Sequence, residues 1–465
     1  MLNPLVAQSV IDHALFLGAD FAEIFIEHHH SGRVELLSGD VDKVITGIDF
    51  GIGVRLFFAR KVFYGYTNRC DEKQLKKIVS LLCARDRCDQ ATTSRPLSFS
   101  RLSNQHPVGS ILSDDPCIAE KAAFLHQLDS IIRAQSNKIS QTVVSVIQRE
   151  QRVEIFNSYG VHVSDNRHYT RIAALAVATS SDDEQSTGFE APGALAGWEL
   201  HQDIDSTALG ERVAHQALVK LGAQSCPSGA MPVVIDNGFG GVIFHEACGH
   251  LLETTSVEKK ASVFHDQMGK VIASPVVSAV DDGTLPHAWG SSNIDDEGME
   301  TQRTQLIREG KLISFMVDHI GSIKTGYTRT GSGRRESYKF APASRMRNTF
   351  IEPGNDSLDD MISSIESGIY AKKMGGGSVQ PGTGEFNFVV QEPYLIKGGK
   401  VTAPLKSATL IGTGSKVLKE ISMVGKDLVL AAGMCGSVSG SIPTTVGQPA
   451  LKVDSLLVGG GRSST

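Results

Sequence analysis

Apolar positions recur at helical spacing through Leu5, Val6, Val10, Ile11, Ala14, Leu15 and Leu17, which predicts a first helix over 4–18. Runs rich in Val, Ile, Phe and Tyr follow at Phe21–Glu27, Arg33–Leu37, Lys43–Phe50, Gly51–Phe58 and Lys61–Tyr66. β-Branched and aromatic side chains suit a pleated, half-buried surface, so these runs read as strands, with Gly39-Asp40 a turn between two of them. Helical spacing returns at Glu72–Cys83. The polar stretch 84–116, with Pro96, Pro107 and Pro116, reads as loop. A third helix is expected at 119–134, strands at 139–148, 151–157, 160–164 and 168–180, a loop feeding a strand over 184–198, and a fourth helix from Asp205 to Leu221. Helix, strands, helix thus occurs twice. That order predicts an α+β unit with helices packed on an antiparallel sheet, and hints at an internal duplication.

Cys226-Pro227-Ser228-Gly229 breaks the pattern, which divides the chain into an N-terminal α+β domain at 1–225 and a strand-rich C-terminal domain at 226–465. In the second domain Met231–Asp236 reads as a strand that leads into the helix of the His245–His250 stretch. No long helical pattern occupies 256–300. Gln305–Glu309 and Lys311–Val317 read as a hairpin around Gly310, 321–336 as an irregular Gly/Ser/Thr/Arg loop, and 357–366 as a helix before strands take over. Asp281-Asp282-Gly283 and Asp295-Asp296-Glu297-Gly298 read as solvated acidic turns, because their spacing is wrong for an EF-hand.

Composition narrows the function. The 465 residues are 41% hydrophobic and 21% charged, as in soluble globular proteins, with length for two or three domains. A net charge of −6 argues against nucleic acid as a partner. No apolar run approaches the ~20 residues that span a bilayer, and Met1-Leu2-Asn3-Pro4-Leu5 lacks the basic start of a signal peptide, so neither membrane nor export is expected. Seven cysteines, an odd number without metal-knuckle spacing, suit reduced thiols in a cytoplasm.

The chemistry concentrates in Phe244-His245-Glu246-Ala247-Cys248-Gly249-His250-Leu251-Leu252-Glu253. Two histidines that bracket a glutamate are the residue set of a hydrolytic metal site: neutral imidazoles bind zinc, and a neighbouring carboxylate takes a proton from the activated water. In the familiar zinc-peptidase pattern the histidines stand four apart on one helix face. Here they stand five apart, about 500° of helical rotation, so the rings diverge by about 140° unless the helix is widened or broken between them. A distortion at Gly249, for which a π-type bulge is one form, is the expected solution. A hydrolytic zinc site usually has three protein ligands. Beside His245 and His250, the residues leave Glu253, Cys435 and Cys248 open as the third.

Further stretches join this one: Arg334-Arg335-Glu336-Ser337-Tyr338, Met374-Gly375-Gly376-Gly377, Ala408-Thr409-Leu410-Ile411-Gly412, Ile421-Ser422-Met423-Val424-Gly425, Met434-Cys435-Gly436 and Val446-Gly447-Gln448-Pro449. In this order, from about residue 230 to the C-terminus, they resemble the TldD branch of the TldD/PmbA metallopeptidases. The N-terminal half fits more loosely, through Ala19-Asp20-Phe21-Ala22-Glu23. The resemblance implies that Cys435 joins the two histidines on one zinc per chain, that Glu246 is the general base, and that Glu253 supports the site. It implies a cytoplasmic peptidase acting on unfolded or short peptides in a closed dimeric chamber, as a homodimer or as a heterodimer with a metal-free TldE/PmbA-like paralogue. The competing reading is a non-catalytic peptide-binding or scaffold subunit with a structural metal, for which a glutamate between the histidines has no use.

Other residues carry weaker signals. Arg334 and Arg335 can hold a substrate carboxylate or form structural ion pairs, and His319 and His287 can line the site or pack in the core. His28-His29-His30 ends a strand run, and its side chains alternate in direction, which makes a poor single metal site. Gly375-Gly376-Gly377 and Gly331-Ser332-Gly333 lack the Lys-Ser/Thr of a phosphate loop. The strand- and glycine-rich second half suits an exposed sheet edge that pairs with an extended peptide.

Overall fold

The computed structural model describes residues 2–86, 93–100, 106 and 118–460. The Asn3 side chain accepts from the Leu5 N–H at the start of α1 (Pro4–Phe16). Pro4 sits in the first turn, where a missing N–H leaves no helical bond unmade. The helix buries Ala7, Val10, Ile11 and Ala14 against Ile24 and Ile26 of β1 (Phe21–Leu37) and Val54 and Leu56 of β2 (Asp40–Phe58). After β3 (Lys61–Thr67), α2 (Glu72–Cys83) packs on the same face through Leu75 and Val79. The chain continues through β4 (Ser98–Phe99), α3 (Ile118–Ala134), β5 (Ile139–Asn157), β6 (Val161–Thr179), β7 (Gln185–Glu190), β8 (Gly193–Ala194) and α4 (Ser206–Leu218). One sheet runs β3-β2-β1-β5-β6-β4, with β7 and β8 also on β6. Helices α3 and α4 cover its second half through Leu125, Leu128, Ile132 and Val213. The mixed α+β architecture expected from the pattern is therefore present.

Strands are longer than the apolar runs. β1 is one strand of 17 residues, and β5 and β6 have 19 each. Polar side chains between the apolar runs do not interrupt them, because the β1 backbone pairs with β2 on one side and β5 on the other. His28-His29-His30 thus lies within β1 rather than at a strand end. Part of the expected 184–198 loop is the strand β7. Of the expected 84–116 loop, 87–92, 101–105 and 107–116 lie outside the described residues, and Ser98–Phe99 pairs in parallel with β6.

The second half comprises β9 (Gly229–Ile235), α5 (Val242–Ala247), α6 (Thr254–Val257), β10 (Ala279–Asp282), β11 (Arg303–Arg308), β12 (Lys311–Leu312), α7 (His319–Thr325), β13 (Gly333–Arg334), β14 (Ala343–Ser344) and β15 (Asn348–Ile351). It ends with α8 (Leu358–Ser363), β16 (Ser367–Gln380), β17 (Glu385–Lys397), β18 (Lys400–Pro404), β19 (Ala408–Thr413), α9 (Gly414–Glu420), β20 (Ile421–Val424), β21 (Val429–Ser437), β22 (Gly440–Gln448) and β23 (Leu451–Gly460). Strands β16, β9, β23, β19 and β17 pair in sequence, and β17 returns to β16, so the five close on themselves. A second sheet runs β12-β11-β10-β15-β22-β21. Helix α5 sits in the core between them: Ile243, Phe244 and Ala247 join Ile351, Phe386, Phe388 and Val453 in one buried cluster. Burying a side chain such as Phe244 contributes roughly 1.5–3 kcal/mol, which pins the helix and the histidine that follows. The expected 310 hairpin is β11–β12. The irregular 321–336 loop instead begins inside α7, capped by Asp318 and ended by Gly326 at φ 79°.

The acidic turns are not solvated. Asp281, Asp282, Asp295, Asp296 and Glu297 are all buried. The last two join the halves of the molecule. Arg55 lies directly across the β1–β2 ladder from Glu23 and binds Glu23 at 2.5 Å and Glu297 at 2.6 Å. Arg167 binds Asp296 at 2.7 Å, and Arg335 binds Glu23 at 2.7 Å. Burial pushes the Glu297 carboxyl up, but Arg55 and Arg329 outweigh it and hold it at about 2.

Candidate metal centre

Phe244 and Ala247 face the core, which leaves His245 and Glu246 to point along the other side of α5. The helix stops at Ala247. Cys248 takes φ −136° and ψ −52°, and a 3₁₀ turn carries Gly249–Leu252. Of the two solutions open to the sequence, the helix is broken rather than widened, at Cys248 next to Gly249, and this brings histidines five apart together. Gly249 serves packing rather than backbone freedom: a Cβ there would overlap the Met346 sulfur. The His245 and His250 rings lie 4.9 Å apart at 85°.

Cys435 comes from the opposite side. It sits in β21 opposite Ile442 of β22, two residues before the hairpin end. Its Sγ lies 3.2 Å from His245 Nε2 and 3.3 Å from His250 Nε2. Among the described residues these three form a cluster whose ligand atoms all lie within 4.8 Å of one another. Metal–nitrogen distances of about 2.0 Å and metal–sulfur of about 2.3 Å separate N and S by roughly 3.5 Å in a tetrahedron. Two imidazole nitrogens and a thiolate therefore fit a zinc-sized ion in spacing and in donor type. Burial pushes the Cys435 thiol up, but His245 and His250 outweigh it and hold it at about 3, so the sulfur is a thiolate. Burial likewise lowers His250, while Glu253 and Cys435 prevail and raise it well above the usual histidine range.

Two carboxylates flank the cluster. Glu246 Oε2 stands 3.9 Å from His250 Nε2 on the ligand side of the ring. Its burial raises its pKa against the pull of both imidazoles. Glu253 Oε2 meets the other nitrogen, His250 Nδ1, at 3.1 Å, the position of a carboxylate that orients a ligand imidazole. Cys248 is fully buried, and burial alone raises its thiol strongly.

The remaining residues singled out in the sequence lie apart from the cluster. Arg334 donates to the Met346 and Pro443 carbonyls, the latter at 2.8 Å. Arg335 donates to Glu23 and to the Asp296 carbonyl, and stacks 4.1 Å above Phe25. His319 is buried against Phe21, Phe57 and Tyr159 of the N-terminal half, and burial lowers it to about 4. All three belong to contacts that hold the structure together. His287 lies at φ 56° beside the Leu195 carbonyl. Arg345, which no sequence pattern marks, reaches the Cys435 carbonyl.

A cleft of about 830 Å³ runs along β21. Val429–Met434 of β21 line it up to the residue before Cys435, together with Phe239, Met374 and Arg171. Among the described residues β21 is the last strand of its sheet. Its Ala432 and Gly433 carbonyls accept from Arg171 at 3.2 Å and from Trp289 at 2.7 Å.

His245 and Glu246 on the helix, His250 on the turn after it and Cys435 on a strand make up a candidate metal site, and comparison with known proteins shows the family of the chain that carries it. The PmbA/TldA metallopeptidase domains match along the chain: domain 1 at 22–85, the central domain at 112–221 and the C-terminal domain at 228–460. The metalloprotease TldD homolog of Haemophilus influenzae is 34% identical, covering 95% of this chain and 93% of its own. A metalloprotease of Methanocaldococcus jannaschii is 28% identical over 91% of this chain and 94% of its own. Among solved structures, a Thermotoga maritima protein described as a candidate modulator of DNA gyrase superposes with a TM-score of 0.79 at 18% identity, covering 98% and 99% of the two chains. TldE from Thermococcus kodakarensis superposes with a TM-score of 0.78 at 16% identity, covering 98% and 100%. The chain belongs to the PmbA/TldD family.

Proposed function

We propose that this chain is a zinc-dependent metallopeptidase that hydrolyses unfolded or short peptides. The observation that carries the reading is the triangle of His245, His250 and Cys435 with Glu246 on its ligand side. His245 Nε2, His250 Nε2 and Cys435 Sγ would hold the ion, one per chain. A bound divalent ion supplies a Lewis acid that polarises the scissile carbonyl and acidifies the attacking water. Glu246 does the proton work: it takes a proton from that water and returns it to the leaving amine. Its raised pKa suits both halves of that exchange. Glu253, engaged with His250 Nδ1, keeps the imidazole oriented and leaves the ion a position for water.

The cleft along β21 supports a peptide substrate. An extended chain laid beside an edge strand is read through its main chain, which tolerates many sequences. Folded proteins present few such segments, hence unfolded or short peptides. Among the described residues Cys70, Cys226, Cys248 and Cys435 carry free thiols, which supports a reducing cytoplasmic setting. Among those residues no helix is long and apolar enough to cross a membrane. The working unit is a dimer, either of two copies or with a metal-free paralogue of the TldE/PmbA kind.

The test is cleavage of an unstructured peptide, with and without such a paralogue. Cleavage is expected, lost after dialysis against a chelator and restored by one equivalent of zinc. Cleavage that survives complete metal removal contradicts the metal reading. A zinc-loaded protein that cleaves nothing, alone or with its partner, favours the peptide-binding scaffold.

A further inference from the structure

Arg345 is 1% exposed and follows directly on β14. Its guanidinium faces two parts of the site that are distant in sequence. One Nη donates to the Cys435 carbonyl, and the other donates to Ser439 Oγ and to the Gly440 carbonyl, both at 3.0 Å. Those three acceptors are the β21–β22 hairpin that carries Cys435. On its other side Arg345 Nε stands 3.9 Å from Glu253 Oε1. Both atoms are buried and have no hydrogen-bond partner among the described residues, while the second oxygen of Glu253 is on His250 Nδ1.

We infer that Arg345 is a positioning residue for the metal centre: one buried guanidinium fixes the height of the Cys435 thiolate and the orientation of the His250 ring together. The inference rests on the reading of His245, His250 and Cys435 as metal ligands. A planar fork of five donors can serve a hairpin and a carboxylate at once, and few other side chains can. Cys435 lies two residues from the end of a two-stranded hairpin at the edge of its sheet, where the ladder alone restrains it least. Glu253 without Arg345 would be a buried carboxylate facing only the imidazole it orients. Loss of such outer support typically weakens metal affinity about 10–100-fold.

The test titrates cobalt(II) into the metal-free full-length protein and follows the thiolate-to-cobalt charge-transfer band, in wild type, Arg345→Gln and Arg345→Lys. Circular dichroism and thermal unfolding are recorded on the same samples. The expected result is a band in wild type, an affinity about 10–100-fold weaker with a shifted or weakened band in Arg345→Gln, and partial recovery in Arg345→Lys, which keeps the charge but not the fork. If Arg345→Gln does not fold, Arg345→Lys decides: wild-type affinity and an unaltered band in that variant overturn the inference. A variant with lowered thermal stability but wild-type cobalt affinity and spectrum also overturns it, because Arg345 then only holds the fold. A wild-type protein that gives no thiolate band overturns the metal reading itself, which a change confined to the variants does not.

Discussion

Glu246→Gln is expected to bind one metal per chain as tightly as wild type and to cleave peptide about 10²–10⁴-fold more slowly. Glutamine keeps the size and the hydrogen-bonding reach of glutamate but cannot accept the proton of the attacking water. The residue lies outside the ligand triangle, 3.9 Å from His250 Nε2, so its loss leaves the three ligand atoms in place. The loss should fall on kcat more than on KM, because proton transfer is felt in the transition state and not in peptide binding. Equal metal content with equal cleavage in the two proteins would remove Glu246 from the reaction. Loss of metal in the variant would make it a ligand instead.

Arg55→Met is expected to destabilise the fold by about 3–5 kcal/mol, measured by denaturant unfolding. Methionine fills the volume beside Phe57 and Phe21, over which the guanidinium now lies at 5.0 and 5.9 Å. Glu23 keeps Arg335 and Glu297 keeps Arg329, but each loses a buried partner at 2.6 Å or less. The same network gives stability an acid limb. Glu297 is held at about 2 against an ordinary 4.5, so its contribution is present above the ordinary value and is lost as pH falls from 4.5 toward 2. Asp295 works the other way: burial raises it to about 6, so its ionisation opposes folding as pH climbs from 3.8 through 6. In Arg55→Met the Glu297 limb should flatten. An unchanged unfolding midpoint would mean that the network holds no net charge energy across the two halves.

Much of the fold was legible because local pattern and tertiary need coincide. Leu5, Val10, Ile11 and Ala14 mark α1 at helical spacing, and Val10, Ile11 and Ala14 are among the residues it buries. Strand length was not legible. The backbone of β1 is paired on both sides through His28-His29-His30, and pairing is a property of the neighbours rather than of those side chains. Burial of Asp295, Asp296 and Glu297 was invisible for the same reason, since their cations, Arg55, Arg167 and Arg329, lie elsewhere in the sequence.

At the site, histidines five apart announced that the helix had to deform, but not how. The break falls at Cys248, beside Gly249, on which Met346 packs in a contact made across nearly a hundred positions. Residue chemistry alone left Glu253, Cys435 and Cys248 open as third ligand. The structure brings Cys435 to both histidines, sets Glu253 behind His250 and buries Cys248. Arg345 gave no signal, because an arginine between Ser344 and Met346 follows no period and its acceptors are main-chain atoms of a distant hairpin.

The central claim is that His245, His250 and Cys435 hold one metal ion. Its most direct measurement is the metal content of the protein after purification in trace zinc, in wild type and in Cys435→Ser. Close to one zinc per chain is expected in wild type and a loss of most of it in the variant, with the fold kept. No bound metal in wild type, or an unchanged content when Cys435 is replaced, would contradict it.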